Sequence, residues 1–285
     1  MRLATWNVNS ARTRKQHIVD FLKQRDIDVL AVQETKCQDK QFPAELFEDL
    51  GYAVAHVGVN QWNGVALLSR VGLADVQRSF PGQPRFHKDA DAPQELEPRA
   101  VGALCGGVRV WSLYVPNGRS IFDRHYDYKL RWLYALRNHV RQELAAEPEQ
   151  LMALVGDFNV ARRDEDVWDR EFFRGKTHVT PAERVALEDL MDAGQLRDIA
   201  GELSKNSWTY WDYQRFRFDR DEGMRIDYQL ASPALAKVAV SAQVDKQARA
   251  AQKASDHAPV IVEYEVPKTP RGSEGTAASS FDSED

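Results

Sequence analysis

The chain has 285 residues, of which 43% are hydrophobic and 28% charged, the composition of an ordinary globular protein that can bury a large core. No apolar run reaches the roughly 18 to 20 residues of a membrane-spanning helix. The start has no apolar signal segment, so we expect a cytoplasmic protein without a membrane partner. The net charge of −5 provides no overall attraction for nucleic acid, so phosphate contacts would have to come from local groups of Arg and Lys.

The first half of the chain alternates apolar runs, which predict strands, with segments of helical periodicity. Gly106-Gly107 lies between two apolar runs and predicts the turn of a hairpin. The predicted elements are a strand at 2–8, a helix at 15–25, strands at 28–33 and 64–69, a hairpin over 103–114 and a helix over about 126–146.

The second half repeats this plan. Residues 151–156 predict a buried strand that runs directly into Asp157, and residues 224–231 alternate apolar and polar side chains as a half-buried strand does. Thr180-Pro181-Ala182-Glu183 predicts the capped start of a helix that ends near residue 192. Residues 259–266 predict the closing strand.

The order of these elements indicates the fold class. Strands and helices are interleaved, but hairpins occur within each half, which favours an α/β fold of two mixed β-sheets packed face to face with helices outside. No stretch between the halves has the composition of a linker, so we predict one domain over residues 1–267. Residues 268–285 are acidic and rich in Ser and Gly, which predicts a disordered tail.

Polar side chains stand at the ends of the predicted apolar strands. They are Asn7, Glu34, Tyr114, Asp157, Asn159 and the pair Asp256-His257. Asn and Asp are common wherever a strand stops, so one such residue alone carries little information. A set of strand ends that combines carboxylates, amides and a histidine is harder to explain as turns, because rigid strand ends can project several side chains into one cleft.

These residue types meet the needs of phosphodiester hydrolysis, in which the phosphate and the leaving oxygen gain negative charge. A hard cation held by oxygen ligands stabilises that charge. We therefore predict a Mg²⁺ site, with Mn²⁺ as the alternative, whose ligands are Glu34, Asn7 and Asp256. A second ion stays open, and its ligands would be Asp157, Asn159 and His257.

The other candidates would orient water and phosphate. We assign Asp157 as the base that deprotonates the attacking water and Asn159 as a donor to the phosphate. His257 would be a charged phosphate donor with Asp227 as its carboxylate partner, although the reverse assignment, with His257 as the base, remains open. Tyr114 would donate its hydroxyl to the phosphate.

Several short segments match one family in the expected order. They include Thr5-Trp6-Asn7-Val8-Asn9, Val32-Gln33-Glu34-Thr35-Lys36, Gly156-Asp157-Phe158-Asn159, Trp211-Asp212-Tyr213, Arg225-Ile226-Asp227-Tyr228 and Ser255-Asp256-His257. Over residues 2 to about 266 the chain resembles the exonuclease III and apurinic/apyrimidinic (AP) endonuclease family of the endonuclease/exonuclease/phosphatase superfamily.

This resemblance implies a four-layer α/β sandwich and a Mg²⁺-dependent DNA-repair nuclease. Such an enzyme cuts the backbone 5′ to abasic sites and has 3′→5′ exonuclease and 3′-phosphatase activities. The implied partner is double-stranded DNA with abasic sites or blocked 3′ ends, bound by a monomer. In the family an aromatic pocket accepts the abasic sugar after it swings out of the helix. The implied substrate-binding residues are Asn117, Arg119, Tyr210, Trp211 and Arg225.

Two other classes of function keep most of these residues. A phosphoesterase acting on inositol phosphates or phospholipids would share the carboxylates and the histidine, but not the aromatic pocket. Tyr210-Trp211-Asp212-Tyr213 beside the Arg-rich stretch 215–225 therefore favours DNA. A binding module that has lost catalysis would lack some of the acids and amides, and all of them are present here. The balance among the three nuclease activities stays open, since they share one chemistry.

Overall fold

A computed structural model describes residues 1–204 and 208–266 of the chain. The strands are β1 (Arg2–Asn7), β2 (Val29–Gln33), β3 (Ala53–Val57), β4 (Val65–Ser69), β5 (Ala74–Gln77), β6 (Ala100–Cys105), β7 (Val108–Tyr114), β8 (Met152–Asp157), β9 (Arg197–Asp198), β10 (Asp227–Ala231), β11 (Ala239–Val244) and β12 (Val260–Tyr264). The helices are α1 (Lys15–Arg25), α2 (Ala44–Glu48), α3 (Arg124–Ala146), α4 (Arg170–Phe173), α5 (Pro181–Gly194), α6 (Ile199–Leu203), α7 (Pro233–Ala236) and α8 (Lys246–Ala250). Short 3₁₀ turns lie at Asp39–Gln41, Asp164–Asp166 and Gln214–Phe216.

The strands form two mixed sheets, with the orders β11-β12-β1-β2-β4-β3 and β5-β6-β7-β8-β10-β9. The parallel neighbours are β1 with β2 and β7 with β8. The side chains of β2 alternate between the two faces of the first sheet, and this alternation shows how the sheet contacts a layer on each side. Val29 and Ala31 face the second sheet, while Leu30 and Val32 face helices α1 and α2 on the outside.

Helices α3 and α5 cover the outer face of the second sheet in the same way, with Trp132 and Leu187 packed against Leu154. The order of layers is therefore helix, sheet, sheet, helix. This arrangement confirms the predicted fold class of two mixed sheets with helices outside, a four-layer sandwich. The predicted start of α5 is also confirmed, since the Thr180 hydroxyl accepts a hydrogen bond from the backbone N–H of Glu183 at 3.2 Å.

The predicted strand at 224–231 is wrong at its start, because β10 begins only at Asp227. Met224 instead forms isolated bridges with Val167 and Tyr210. Among the described residues, no helix is long and apolar enough to cross a membrane. The predicted tail at 268–285 lies outside the described residues, and the single domain over 1–267 stays a prediction.

Candidate active site

The strand topology brings several predicted site residues to one edge of the sandwich. β1 and β2 are parallel, with Asn7 opposite Gln33, so β1 ends beside Glu34. β7 and β8 are parallel and end together at Tyr114 and Asp157. A hydrogen bond of 3.0 Å from Asn7 Nδ2 to Asp157 Oδ2 joins the two sheets at this edge.

The other predicted site residues lie at the start of β10 and before β12, two strands that are antiparallel to their neighbours β8 and β1. β10 is antiparallel to β8 and begins at Asp227, directly opposite Asp157. β12 is antiparallel to β1 and follows the segment that carries His257. Trp6 Nε1 donates to the backbone oxygen of His257 at 3.0 Å, and Ser255 Oγ donates to the Asn7 carbonyl at 2.6 Å. These bonds fix the loop before β12 against the end of β1.

Asn7 links two carboxylates. Its Nδ2 also donates to Glu34 Oε1 at 2.9 Å, so one amide group holds Glu34 and Asp157 at a fixed spacing. A metal ion would bind the side-chain oxygen of Asn7, which accepts the Asn9 N–H at 3.1 Å, and the role of Asn7 as a direct metal ligand stays a prediction. Glu34 adopts a left-handed backbone conformation, with φ of 53°, where the chain turns away from β2. Its other oxygen, Oε2, lies 2.7 Å from Lys36 Nζ.

Tyr114 lies close to these carboxylates and is buried. Burial raises the pKa of Tyr114 well above its usual value, and the nearby negative charges of Glu34 and Asp157 raise it further. The hydroxyl therefore keeps its proton and can act as a hydrogen-bond donor.

Asp157, His257 and Asp227 form a buried group. His257 Nδ1 lies 2.8 Å from Asp227 Oδ2, and His257 Nε2 lies 3.7 Å from Asp157 Oδ2. Burial alone would lower the pKa of His257, but the carboxylates of Asp227 and Asp157 outweigh it and raise that pKa to about 10. Burial raises the pKa of Asp157 to about 7. His257 therefore carries a positive charge near pH 7, and Asp227 orients its ring.

Gly156 explains how Asp157 reaches this position. Its φ of 148° is a conformation that favours glycine, and a Cβ added there would collide with the carbonyl oxygen of Leu113 on the neighbouring strand. The absence of a side chain lets β8 approach β7 closely at the point where both strands end.

Asn159 is the centre of a second polar group. Its backbone N–H donates to Asp157 Oδ1 at 2.9 Å, which ties this group to the first. Asn159 Oδ1 accepts a bond of 2.9 Å from Asn117 Nδ2 and lies 3.1 Å from His178 Nε2. One side-chain N–H of Asn159 is used by the Val115 carbonyl at 3.1 Å, which leaves the other for a phosphate.

His178 was not among the residues predicted from the sequence. Its backbone is left-handed, with φ of 83°, and burial lowers its pKa to about 4, so the ring is neutral near pH 7. The available signal was its place in the loop before the capping box of α5, which does not by itself point to Asn159. Asn9 and Lys36 were also missed, although both lie inside segments that carried the resemblance.

Asp256 joins the site through Asn9. Asn9 Nδ2 donates to Asp256 Oδ1 at 3.1 Å, and Lys36 Nζ donates to Asn9 Oδ1 at 2.6 Å. Because Lys36 also pairs with Glu34, these contacts form a continuous path from Glu34 to Asp256. The two predicted ligands are connected through polar side chains rather than in direct contact with each other.

A cavity of about 510 Å³ adjoins the polar residues. Its lining includes Arg119, Trp168, Phe172, His178, Tyr210 and Arg217. The Tyr210 ring lies 4.9 Å from the His257 ring, so one wall of the cavity touches the buried group. Arg119 is exposed and lines the cavity, and its role in substrate binding stays a prediction.

Two predicted substrate-binding residues lie elsewhere. Trp211 is fully buried, its Nε1 bonds Asp221 Oδ1 at 3.2 Å, and it packs against Phe218. Only Tyr210 of this aromatic pair lines the cavity. The geometry therefore gives Trp211 a core role, and the prediction that it binds substrate is corrected accordingly.

Arg225 is also corrected. Its guanidinium is buried between two carboxylates, with Nε 2.7 Å from Asp166 Oδ1 and one terminal nitrogen 2.6 Å from Asp198 Oδ2. A guanidinium with two buried carboxylate partners is not available to bind DNA phosphate. The regular strand that would have directed Arg225 to the same face as Asp227 does not exist, because β10 starts at Asp227.

The residues present fit a cation. Asp157, Asp227 and His257 each offer one ligand atom, and these atoms lie within 4.8 Å of one another. Among the described residues, Asp227 Oδ1 is buried and has no hydrogen-bond partner. A buried carboxylate oxygen without a partner, in a group of acids, is a suitable ligand for a hard metal ion. The carboxylate oxygens at this edge are therefore the atoms that could hold a metal ion, since a protonated His257 ring has no lone pair to offer.

The chain matches the Endonuclease/Exonuclease/phosphatase family over residues 4–257. It belongs to this family. The exodeoxyribonuclease III of Haemophilus influenzae is 29% identical, with 93% of this chain and 100% of that protein covered. The DNA repair nuclease APEX1 of Danio rerio is 28% identical, with 92% of this chain and 81% of that protein covered.

Two solved structures are similar throughout. The 3′ phosphatase NExo from Neisseria, solved with a product DNA hairpin, is 34% identical with a TM-score of 0.86, and the comparison covers 93% of this chain and 100% of that one. An AP endonuclease from Archaeoglobus fulgidus is 30% identical with a TM-score of 0.85 and the same coverage. The chain therefore falls in the exonuclease III and AP endonuclease group of DNA-repair nucleases, which are hydrolases of phosphodiester bonds.

Proposed function

We propose that this nuclease is Mg²⁺-dependent, cuts double-stranded DNA 5′ to abasic sites, and also processes blocked 3′ ends. The observation that carries the proposal is the convergence of Asp157, His257 and Asn159 beside a cavity lined by Tyr210. Relatives described as an exodeoxyribonuclease III and an AP endonuclease support it. The prediction that the protein acts as a monomer stays a prediction.

Each buried group has a distinct task in the proposed reaction. Asp157, with its pKa raised by burial to about 7, can accept a proton from an attacking water near neutral pH. His257 keeps its proton and donates to the phosphate, while Asp227 holds its ring. The free N–H of Asn159 donates to a second phosphate oxygen.

The proposed metal ligands are the oxygens at the same edge, and Glu34 is the foremost of them. A hard divalent cation held there would offset the negative charge that develops on the phosphate. Asn7 Nδ2 donates to both the Glu34 and the Asp157 carboxylates and so holds them close together at this edge. Tyr114, protonated and buried, would add a further donor.

The test is one set of incubations with three substrates. They are a duplex with a single abasic analogue, an intact duplex and a duplex with a 3′-phosphate, each with Mg²⁺ and with EDTA. We expect cleavage 5′ to the analogue and release of the 3′-phosphate in Mg²⁺ only. Hydrolysis of inositol phosphates or phospholipids in place of all three DNA substrates would favour the other branch of the superfamily.

A specific observation favours a second candidate, in which 3′ ends are processed in preference to internal abasic sites. The His178 side chain lines the cavity beside Asn159, so on this proposal it reduces the room there for an extruded sugar. The Neisseria enzyme, described as a 3′ phosphatase and as a 3′-5′ exonuclease, is 34% identical, against 30% for the archaeal AP endonuclease. The ratio of 3′-phosphate release to internal cutting separates the two candidates.

The variant His178→Ala sharpens this test. Removing the imidazole opens the cavity, so we expect internal cutting to rise at least about threefold relative to 3′-phosphate release, which is below the roughly tenfold effect that one methylene can have in a pocket. An unchanged ratio would remove His178 from the choice between the two substrates.

A further inference from the structure

One buried ion pair near the site has no role in the reaction described above. Lys129 on α3 and Glu183 on α5 are both fully buried, and Lys129 Nζ lies 2.5 Å from Glu183 Oε1. Removing two charges from water costs several kcal/mol per ion unless both are well paired and hydrogen-bonded. The remaining partners of the pair therefore indicate what it stabilises.

The Lys129 ammonium bonds to the backbone of two site residues. Nζ donates to the carbonyl of Asn159 at 2.6 Å and to that of Asn117 at 3.3 Å. The side-chain amides of these two asparagines bond to each other at 2.9 Å. Asn159 also has a left-handed backbone, with φ of 52°, a conformation that asparagine adopts more readily than most residues with a side chain. The Lys129 ammonium thus holds the backbone of both asparagines whose side chains bond to each other.

The Glu183 carboxylate holds the loop that carries His178. Its Oε1 accepts the Thr177 hydroxyl at 2.6 Å and the backbone N–H of His178 at 2.9 Å. Its Oε2 completes the capping box with the backbone N–H of Thr180 at 3.0 Å. Glu183 therefore both caps α5 and positions His178, whose ring lies beside Asn159.

We propose that Lys129 and Glu183 are a positioning pair for the phosphate-binding side chains. Neither touches the substrate; together they set the orientation of Asn117, Asn159 and His178. This inference rests on the proposed function, because it assigns Asn159 to the phosphate. Any buried ion pair must use its remaining hydrogen-bonding groups, and this pair uses them on the carbonyls of Asn117 and Asn159 and on the N–H of His178, which are the backbone groups of the side chains beside the cavity.

The test replaces both charges at once, with Lys129→Met and Glu183→Gln in one chain. Exchanging a buried ion pair for neutral groups of similar volume often leaves stability unchanged, so a folded protein is expected. A misplacement of about 1 Å at a reacting centre can cost about a hundredfold in rate. We expect kcat on the abasic and 3′-phosphate duplexes to fall about 10- to 100-fold, with KM changed less than about threefold.

A double-mutant cycle separates positioning from a general loss of structure. In an Asn159→Ala background the paired substitution should cost less than about threefold, since the side chain that it misplaces is already gone. In an Asn7→Ala background it should cost its full amount, because Asn7 does not contact the pair. Two results would overturn the proposal. One is a fall in kcat in the Asn159→Ala background as large as in the wild-type background, and the other is wild-type kcat in the paired variant.

Two controls complete the design. Arg70→Met with Asp28→Asn removes an ion pair of 2.8 Å at the opposite end of β2, and should leave kcat unchanged. If the paired variant does not fold, Thr177→Val removes one hydroxyl of the same network while keeping both charges, and should lower kcat by about threefold or more in the wild-type background only. Wild-type kcat in Thr177→Val would then count against the pair. An inactive wild-type protein would contradict the proposed function instead.

Discussion

Two groups of buried charge lie two residues apart in the chain and differ in how completely they are paired. Arg225 fills the space between Asp166 and Asp198, with N–O distances of 2.7 and 2.6 Å. Asp227 holds one nitrogen of His257, whose other nitrogen stands 3.7 Å from Asp157, beyond hydrogen-bond distance. Charges that are fully paired have no group left for a substrate, and removing one partner destabilises the fold, whereas charges with an unused group beside a cavity can act on a substrate.

The largest expected effect concerns stability at the paired group. Arg225→Met leaves two buried carboxylates facing each other, which should cost about 3–5 kcal/mol in the free energy of unfolding. Activity per folded molecule should be retained, because Arg225 does not reach the cavity. Urea unfolding measures the free energy of unfolding, and a cleavage rate divided by the folded fraction measures the activity per folded molecule. The matched control is Arg197→Met, which removes an exposed ion pair with Glu202 and should cost about 1 kcal/mol or less.

The opposite outcome is expected at the group that faces the cavity. Asp157→Asn removes the proposed base and should lower kcat at least about a hundredfold. The free energy of unfolding should not fall by more than about 1 kcal/mol, because the substitution removes a carboxylate that burial already disfavours. If Asp157→Asn were as active as the wild type, another residue would have to be the base that deprotonates the attacking water, and His257 would be the next candidate.

The pH dependence of stability gives a smaller contrast. His257 has a pKa raised from 6.5 to about 10, so its stabilising contribution is full below pH 6.5 and is lost as the pH rises through about 10. Between pH 6.5 and 9.5 the wild type should lose on the order of 2 kcal/mol more than His257→Gln. Arg225→Met should keep the wild-type slope, since a guanidinium stays charged throughout. Equal slopes for wild type and His257→Gln would contradict a His257 pKa raised by the neighbouring Asp227 and Asp157.

Much of the fold and the centre of the site could be predicted from the sequence. Apolar strands that end abruptly on Asn7, Glu34 and Asp157 mark where the parallel strands stop, and parallel strands share one edge. The strands at the edges of the sheets were harder to predict from the sequence. β11 is largely exposed and short of apolar alternation, so its sequence differs little from that of a loop.

The residues that were misassigned depend on contacts that sequence spacing does not encode. Tyr210 and Trp211 are adjacent aromatics, and the bridge of Tyr210 to Met224 and His257 decides which of them faces the cavity. Arg225 could be placed only once the irregular start of β10 was known. His178 reaches Asn159 because Glu183 holds its loop in place, and Lys129 joins Glu183 from 54 positions earlier in the chain.

The most direct measurement is hydrolysis of the abasic-analogue duplex and the 3′-phosphate duplex by the wild type and by Asp157→Asn, each in Mg²⁺ and in EDTA. We predict product from at least one of these duplexes with the wild type in Mg²⁺, and at least about a hundredfold less in EDTA or with Asp157→Asn. Equal product formation in EDTA, or by Asp157→Asn in Mg²⁺, would contradict metal-assisted hydrolysis at this edge of the sandwich.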